Sequence, residues 1–305
     1  MNTEEVKLVR REFDWLLQEE VPSILTQLKS IIQNSINKFK AEPETRDVGP
    51  VDVGHNLNVS LPNSDAVKGI LNIAGDSVIR AELRFKFPKL PSSGVRTFVF
   101  EQCPWKLQQL QDARNHLEGG WDEIAERENC GMLTSGHQVV QLMDRVMLSL
   151  NRVKTCIVVP EKRTLSELLS QNAQRVLNPP VPEEILVSFH VNCDKLLLHV
   201  YAFNALAAAP HNTKNTTNNN NNSMDHNSTI GDAFEHDGRW WEIGSKAEIA
   251  CSVPWFKEII VWINTAHQLC QQLKDKITIF QNLLPDLSLS RAGEEEGMGC
   301  SNNTS

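Results

Sequence analysis

A chain of 305 residues with 40% hydrophobic and 22% charged side chains has the make-up of a globular protein with two compact units or one elongated one, which excludes global disorder. Its formal charge of -8 excludes sequence-independent binding to nucleic acid, which relies on many Lys and Arg contacts to phosphate. Seven scattered cysteines without a CxxC pair, a charged N-terminus (MNTEEVKLVRREF) and no run of ~18 uninterrupted apolar residues predict a reduced, cytoplasmic protein with no direct membrane insertion.

From Glu4 to Phe39 the apolar residues Phe13, Leu17, Val21, Ile24, Leu28, Ile31 and Ile32 recur every three or four positions, an amphipathic helix in which Pro22 predicts a kink or break. After a polar connector the period falls to two. Leu57, Val59 and Leu61, then Val67–Ile73, then Ile79 to Phe87 with Arg80, Glu82, Arg84 and Lys86 interleaved, read as antiparallel strands with a solvated face, and Thr97–Phe100 adds a fourth. Pro104 fits the first position of a second helix carrying Leu107, Leu110, Ala113, Leu117, Trp121 and Ile124, which Gly119-Gly120 interrupts. Met143, Val146, Met147, Leu150 and Val153 mark a third.

Thr164 with Glu167 forms a capping-box pattern on a short helix. Ile185–Val191 and Leu196–Phe203 read as a hairpin turning at Asn192 to Lys195, and Arg239–Ile243 and Glu248–Val253 as two further strands. The asparagine-rich segment 207–232 and the tail 285–305 read as disordered. Last comes a heptad seam of Ile259, Ile263, Ala266, Cys270, Leu273, Ile277, Phe280 and Leu284 on a helix ~45 Å long. The fold class is therefore α+β. A discontinuous helical bundle comprises 4–40, 104–155 and 254–284, and a discontinuous antiparallel β-sheet domain comprises 54–102 and 160–253.

The phosphate-cradling, dinucleotide, HExxH and GxSxG patterns are absent from the sequence, and no cofactor or metal is expected. His190 with Cys193 has no second pair nearby and reads as a sheet histidine and a small apolar residue. Asp122, Glu123, Glu126 and Glu128 read as a solvated helix face, and Asp112, Arg114 and His116 alternate too tightly to share one. Trp240 and Trp241, adjacent in a strand, point to opposite sides, so one of them is a candidate interface anchor. Cys251 to Trp255 precedes the heptad without a basic run, which excludes a DNA-binding zipper. An intramolecular bundle is favoured because three other amphipathic helices need partners; a homodimeric coiled-coil scaffold at membranes or the nuclear periphery is the alternative.

Two blocks, residues 105–116 (WKLQQLQDARNH) and 269–277 (LCQQLKDKI), resemble the signature helices of the Rogdi family. The likeness extends to Glu12–Leu17, Val67–Ile70, Leu142–Leu148 and Val253–Trp255, while 117–135 and the asparagine-rich loop depart from the family. The resemblance implies a helical bundle from the first, middle and last helices, a β domain between them, and no catalytic residues. It also implies a subunit of a RAVE/rabconnectin-type complex that promotes assembly of the vacuolar proton-pumping ATPase (V-ATPase). The expected partners are a large β-propeller-bearing subunit and, directly or through it, peripheral V-ATPase subunits. Expected locations are the cytoplasm, V-ATPase-bearing vesicles and, as an alternative, the nuclear envelope. The polar positions Gln108, Gln109, Asp112, Gln271, Gln272, Lys274 and Asp275 inside the two blocks are the candidate partner-binding residues.

Overall fold

The structure, a computed structural model, describes residues 3–40, 54–62, 64–86, 96–100, 103–131, 133–159, 163–170, 177–208 and 228–284. Of the two segments read as disordered, 209–227 and 285–305 lie outside these residues. Ser228 to Asp232 form an ordered turn, in which Asp232 accepts from the Thr229 amide at 2.7 Å and Ile243 N–H donates to Asp232 O at 2.9 Å. The chain is α+β and divides into two compact units. One draws on Met1–Ile36, Asn115–Val153 and Val261–Ser305, the other on Asn37–Arg114 and Lys154–Ile260.

The first unit is helical. Helix α1 (Thr3–Trp15) passes through a π-helical turn (Leu16–Glu20) into α2 (Val21–Phe39). Pro22 therefore neither breaks the helix nor ends it. Proline lacks the amide hydrogen and its ring collides with the carbonyl four residues back; the widened turn, in which Val21 N–H bonds to Leu16 O, makes room for it. The extra residue of that turn also brings Leu16 and Leu17 both into the core.

Helix α3 (Gln108–Asn129) runs unbroken through Gly119 and Gly120. Gly120 explains why: a Cβ there would sit 3.2 Å from Ser149 Cβ on α4 (Gly136–Val158), so its glycine lets the two helices approach closely. Gly136 does the same at the start of α4, where a Cβ would come within 3.0 Å of both Ile277 and Phe13. Val139, Leu142, Met143, Val146, Leu150 and Val153 are buried along α4. Ion pairs tie the unit's helices together: Lys29 to Glu128 at 2.6 Å, Arg145 to Glu123 at 3.1 Å, Lys274 to Asp144 and Lys276 to Glu20.

The second unit holds two antiparallel sheets. In the first, β1 (His55–Ser60), β2 (Val67–Ala74), β3 (Ser77–Phe85) and β4 (Arg96–Phe100) follow in order, and β5 (Trp105–Lys106) also pairs with β3. The start of the second predicted helix is thus corrected: Trp105 and Lys106 pair with Val78 and Ser77, and the helix begins at Gln108. Leu57, Leu71, Ala81 and Phe100 form one inward row and are buried, as are Val59, Leu83 and Phe98 in the next. The intervening residues point outward, as strand periodicity requires.

The second sheet has the order β6 (Ile185–Asn192), β7 (Lys195–Leu206), β9 (Arg239–Ser252), β8 (Ala233–His236). The two strands read at Arg239–Ile243 and Glu248–Val253 are a single one. Its register shifts where Ala202 faces Ser245 and Phe203 faces Ile243, leaving Gly244 as the extra residue of a bulge. Helix α5 (Leu165–Ser170) places Leu165 and Leu168 on a buried cluster with Leu186, Tyr201, Phe203, Phe234, Trp241 and Ile243. Its capping box is reciprocal: Thr164 N–H donates to Glu167 Oε2 at 2.8 Å and Glu167 N–H to Thr164 Oγ1 at 3.1 Å. Helix α6 (Pro254–Leu283) follows β9.

Candidate partner-binding surface

The heptad seam is packed inside its own chain. Ile259, Ile263, Ala266, Cys270, Leu273, Ile277 and Leu284 are buried, and Phe280, half-buried, lies 5.5 Å from the Phe13 ring. Burial pushes the Cys270 thiol up to about 12, so it is a small apolar side chain with no thiolate chemistry near neutral pH. The Cys251 thiol is raised for the same reason.

The seven candidate polar residues divide. On α6, Gln271 donates to Asp275 Oδ1 at 2.8 Å, and Gln271, Gln272 and Asp275 are exposed. Lys274, half-buried, is held by Asp144 of α4. On α3, Gln108 is exposed and donates to half-buried Asp112 at 2.8 Å. Gln109 has a different situation. It is buried, its Oε1 accepts from Val191 N–H at 2.7 Å, and its Nε2 donates to Val191 O and Cys156 O, each at 3.0 Å. The side-chain amide pairs with the edge of β6 as a neighbouring strand would and satisfies a carbonyl near the end of α4. Gln109 is therefore part of the second unit's interior and not of a surface.

Among the described residues there is no group of three or more His, Cys, Asp or Glu side chains that could hold a metal ion. The His190 and His199 rings lie tilted against each other with centroids 4.5 Å apart, and Cys193 occupies a turn at φ 57, its N–H bonded to Ile157 O. The α3 carboxylates Glu123 and Glu128 are matched by Arg145 and Lys29. Arg114 pairs with Asp76 at 3.0 Å, apart from Asp112. Hollows among the described residues include one of about 270 Å³ between the proline turn (Leu17, Val21, Pro22, Leu25) and Arg127 and Leu133, and one of about 300 Å³ beside Lys38, Lys40, His55 and Trp255.

Of the strand tryptophans, Trp241 is buried against Phe203 and Trp240 half-buried. Trp105 meets the Phe189 ring edge-on at 5.1 Å, and Trp255 does so with Phe39 at 5.8 Å. The exposed tryptophan is Trp15, at 58%, with Leu8 seven residues earlier also exposed. A gap in the apolar spacing signals it: Trp15 falls two residues after Phe13, off the buried stripe.

Among the described residues no helix is long and apolar enough to cross a membrane. The profile of a family described as "Rogdi leucine zipper containing protein" matches residues 12–278. The chain is 34% identical over 276 residues to the protein rogdi homolog of Danio rerio, covering 90% of this chain and 94% of that one. It is 33% identical over 276 residues to the human protein rogdi homolog (90% and 93%) and 30% identical over 277 residues to protein rogdi of Drosophila melanogaster (91% and 90%). Matches of this identity along nearly the full length place the chain in the Rogdi family.

Proposed function

We propose that this chain is a non-catalytic adaptor subunit of a RAVE/rabconnectin-type complex, which promotes assembly of the V-ATPase and so the acidification of vesicles. The reading rests above all on membership of the Rogdi family along residues 12–278. In it, a large β-propeller-bearing subunit is the direct partner, peripheral V-ATPase subunits are bound directly or through it, and the protein reaches vesicle membranes by way of these partners.

The first unit offers the polar side of α6, where Gln271, Gln272 and Asp275 stand exposed beside the fixed Lys274; the second unit offers Gln108 and Asp112 on α3 as a patch of its own. Affinity purification from cells tests the reading: the propeller subunit and peripheral V-ATPase subunits should be recovered, and their consistent absence would overturn it. At residue level, Gln272→Arg with Asp275→Arg should reduce recovery, since both positions are exposed and neither change removes a core contact. Unchanged recovery would take α6 off the binding surface.

A further inference from the structure

The hollow of about 270 Å³ beside the proline turn lies wholly within the first unit, and its lining joins two kinds of chemistry. Leu17, Val21, Leu25 and Leu133 are buried and give it an apolar wall. Arg127 and Glu128, from the last turn of α3, bring one charge of each sign to it. Glu128 holds Lys29 through Oε2 at 2.6 Å, and a carboxylate accepts from more than one donor. Arg127 donates to the neutral amide of Gln138, Oε1, at 2.8 Å. A guanidinium carries five N–H donors in a flat fork that fits a carboxylate with two parallel bonds, and Gln138 takes a single one of them.

The π-helical turn adds an acceptor. Val21 N–H reaches five residues back to Leu16 O, and Pro22, the next residue, has no N–H with which to continue that pattern to Leu17 O. Leu17 and Pro22 both line the hollow. The end of α3 contributes partial negative charge of its own. Single π-turns set into helices recur at functional sites, where the widened turn re-aims backbone and side-chain groups.

We propose that this hollow binds a free apolar α-amino acid, its side chain against the apolar wall, its carboxylate on Arg127 and its ammonium met by Glu128 and the Leu17 carbonyl. The size fits a ligand of this class: at ~30 Å³ for each water of the liquid, the space corresponds to roughly nine waters, about the number of non-hydrogen atoms in leucine. It falls below the ~300 Å³ at which pockets for drug-sized ligands begin. Charge separates this ligand from other apolar ones. A fatty acid would match Arg127 and bring nothing to the electronegative groups, an alkylamine would do the reverse, and an internal leucine of a partner protein carries neither charge. A zwitterion matches both. The proposal goes beyond the adaptor reading and does not depend on it.

Methyl resonances of the full chain, followed by NMR during titration with L-leucine, test it on the parent protein. Those of Val21, Leu25 and Leu133 should shift saturably, with affinity rising about fourfold for each methylene from alanine through valine to leucine. N-acetyl-L-leucine, which lacks the ammonium, and L-leucinamide, which lacks the carboxylate, should each bind about tenfold more weakly than leucine. Arg127→Gln should bring leucine down to the level of leucinamide while leaving leucinamide unchanged. Glu128→Gln should weaken leucine severalfold but not N-acetyl-L-leucine. No shift at these methyl groups, equal binding of the three leucine compounds, indifference to both substitutions, or tighter binding of a blocked peptide with an internal leucine would each overturn the proposal.

Discussion

The first turn of α3 and the middle of α6 look alike in sequence, each a pair of glutamines set among leucines and charged residues. Their fates differ. Gln271 and Gln272 face solvent, whereas Gln109 is enclosed and spends its whole amide on Val191 and Cys156. What separates them is the neighbour. A helix lying on helices buries its apolar stripe and leaves its amides in water, but a helix that begins beside a sheet edge meets unpaired backbone groups that only a polar side chain can satisfy.

The largest expected effect follows from that contrast. Gln109→Ala takes the partner from a buried N–H, a buried carbonyl and a partly buried one, and should cost about 3 kcal/mol in urea unfolding. Gln272→Ala should stay within about 0.5 kcal/mol. Equal effects at the two positions would collapse the distinction. Next, Leu273→Ala at the fully buried seam should cost about 3 kcal/mol. A smaller loss, about 1 kcal/mol, is expected for Thr164→Ala, which removes the cap of α5.

The capping box also carries a pH signature. The Glu167 carboxyl is held below its ordinary 4.5, chiefly by the Thr164 backbone hydrogen bond and then by the Thr164 side chain. Its folded-state value being depressed, its contribution is present above pH 4.5 and is lost as pH falls through the folded value. Comparing acid unfolding of the parent with Glu167→Gln should show the parent's advantage shrinking below pH 4.5. An advantage that persists into strong acid would contradict the assignment.

The elements most legible in the sequence were those whose signal is local. The period-two alternation of β3, the Thr164–Glu167 box and the four-three spacing of α6 each encode their structure within a few residues. Where the outcome depended on tertiary neighbours, the sequence was ambiguous. Gly119-Gly120 looked like a helix break because the cost of glycine is local, while the gain from close approach to Ser149 lies on another helix. Pro104 resembled a helix start because the pairing of Trp105 and Lys106 with β3 involves residues almost thirty positions away. Strand β8, only four residues long, carries too little alternation to stand out, although Asp237-Gly238, both at positive φ, is the two-residue hairpin signal that joins it to β9. Of the candidate surface residues, exposure was readable from the helical stripe for the α6 positions. Gln109 was not, since its partners lie at residues 156 and 191.

Burial of the α6 seam within its own chain is the claim on which the rest depends. Light scattering on the purified protein across micromolar concentrations measures it directly. The mass should remain at 34.4 kDa; a rise toward twice that value with concentration would return the seam to an intermolecular zipper and contradict the account.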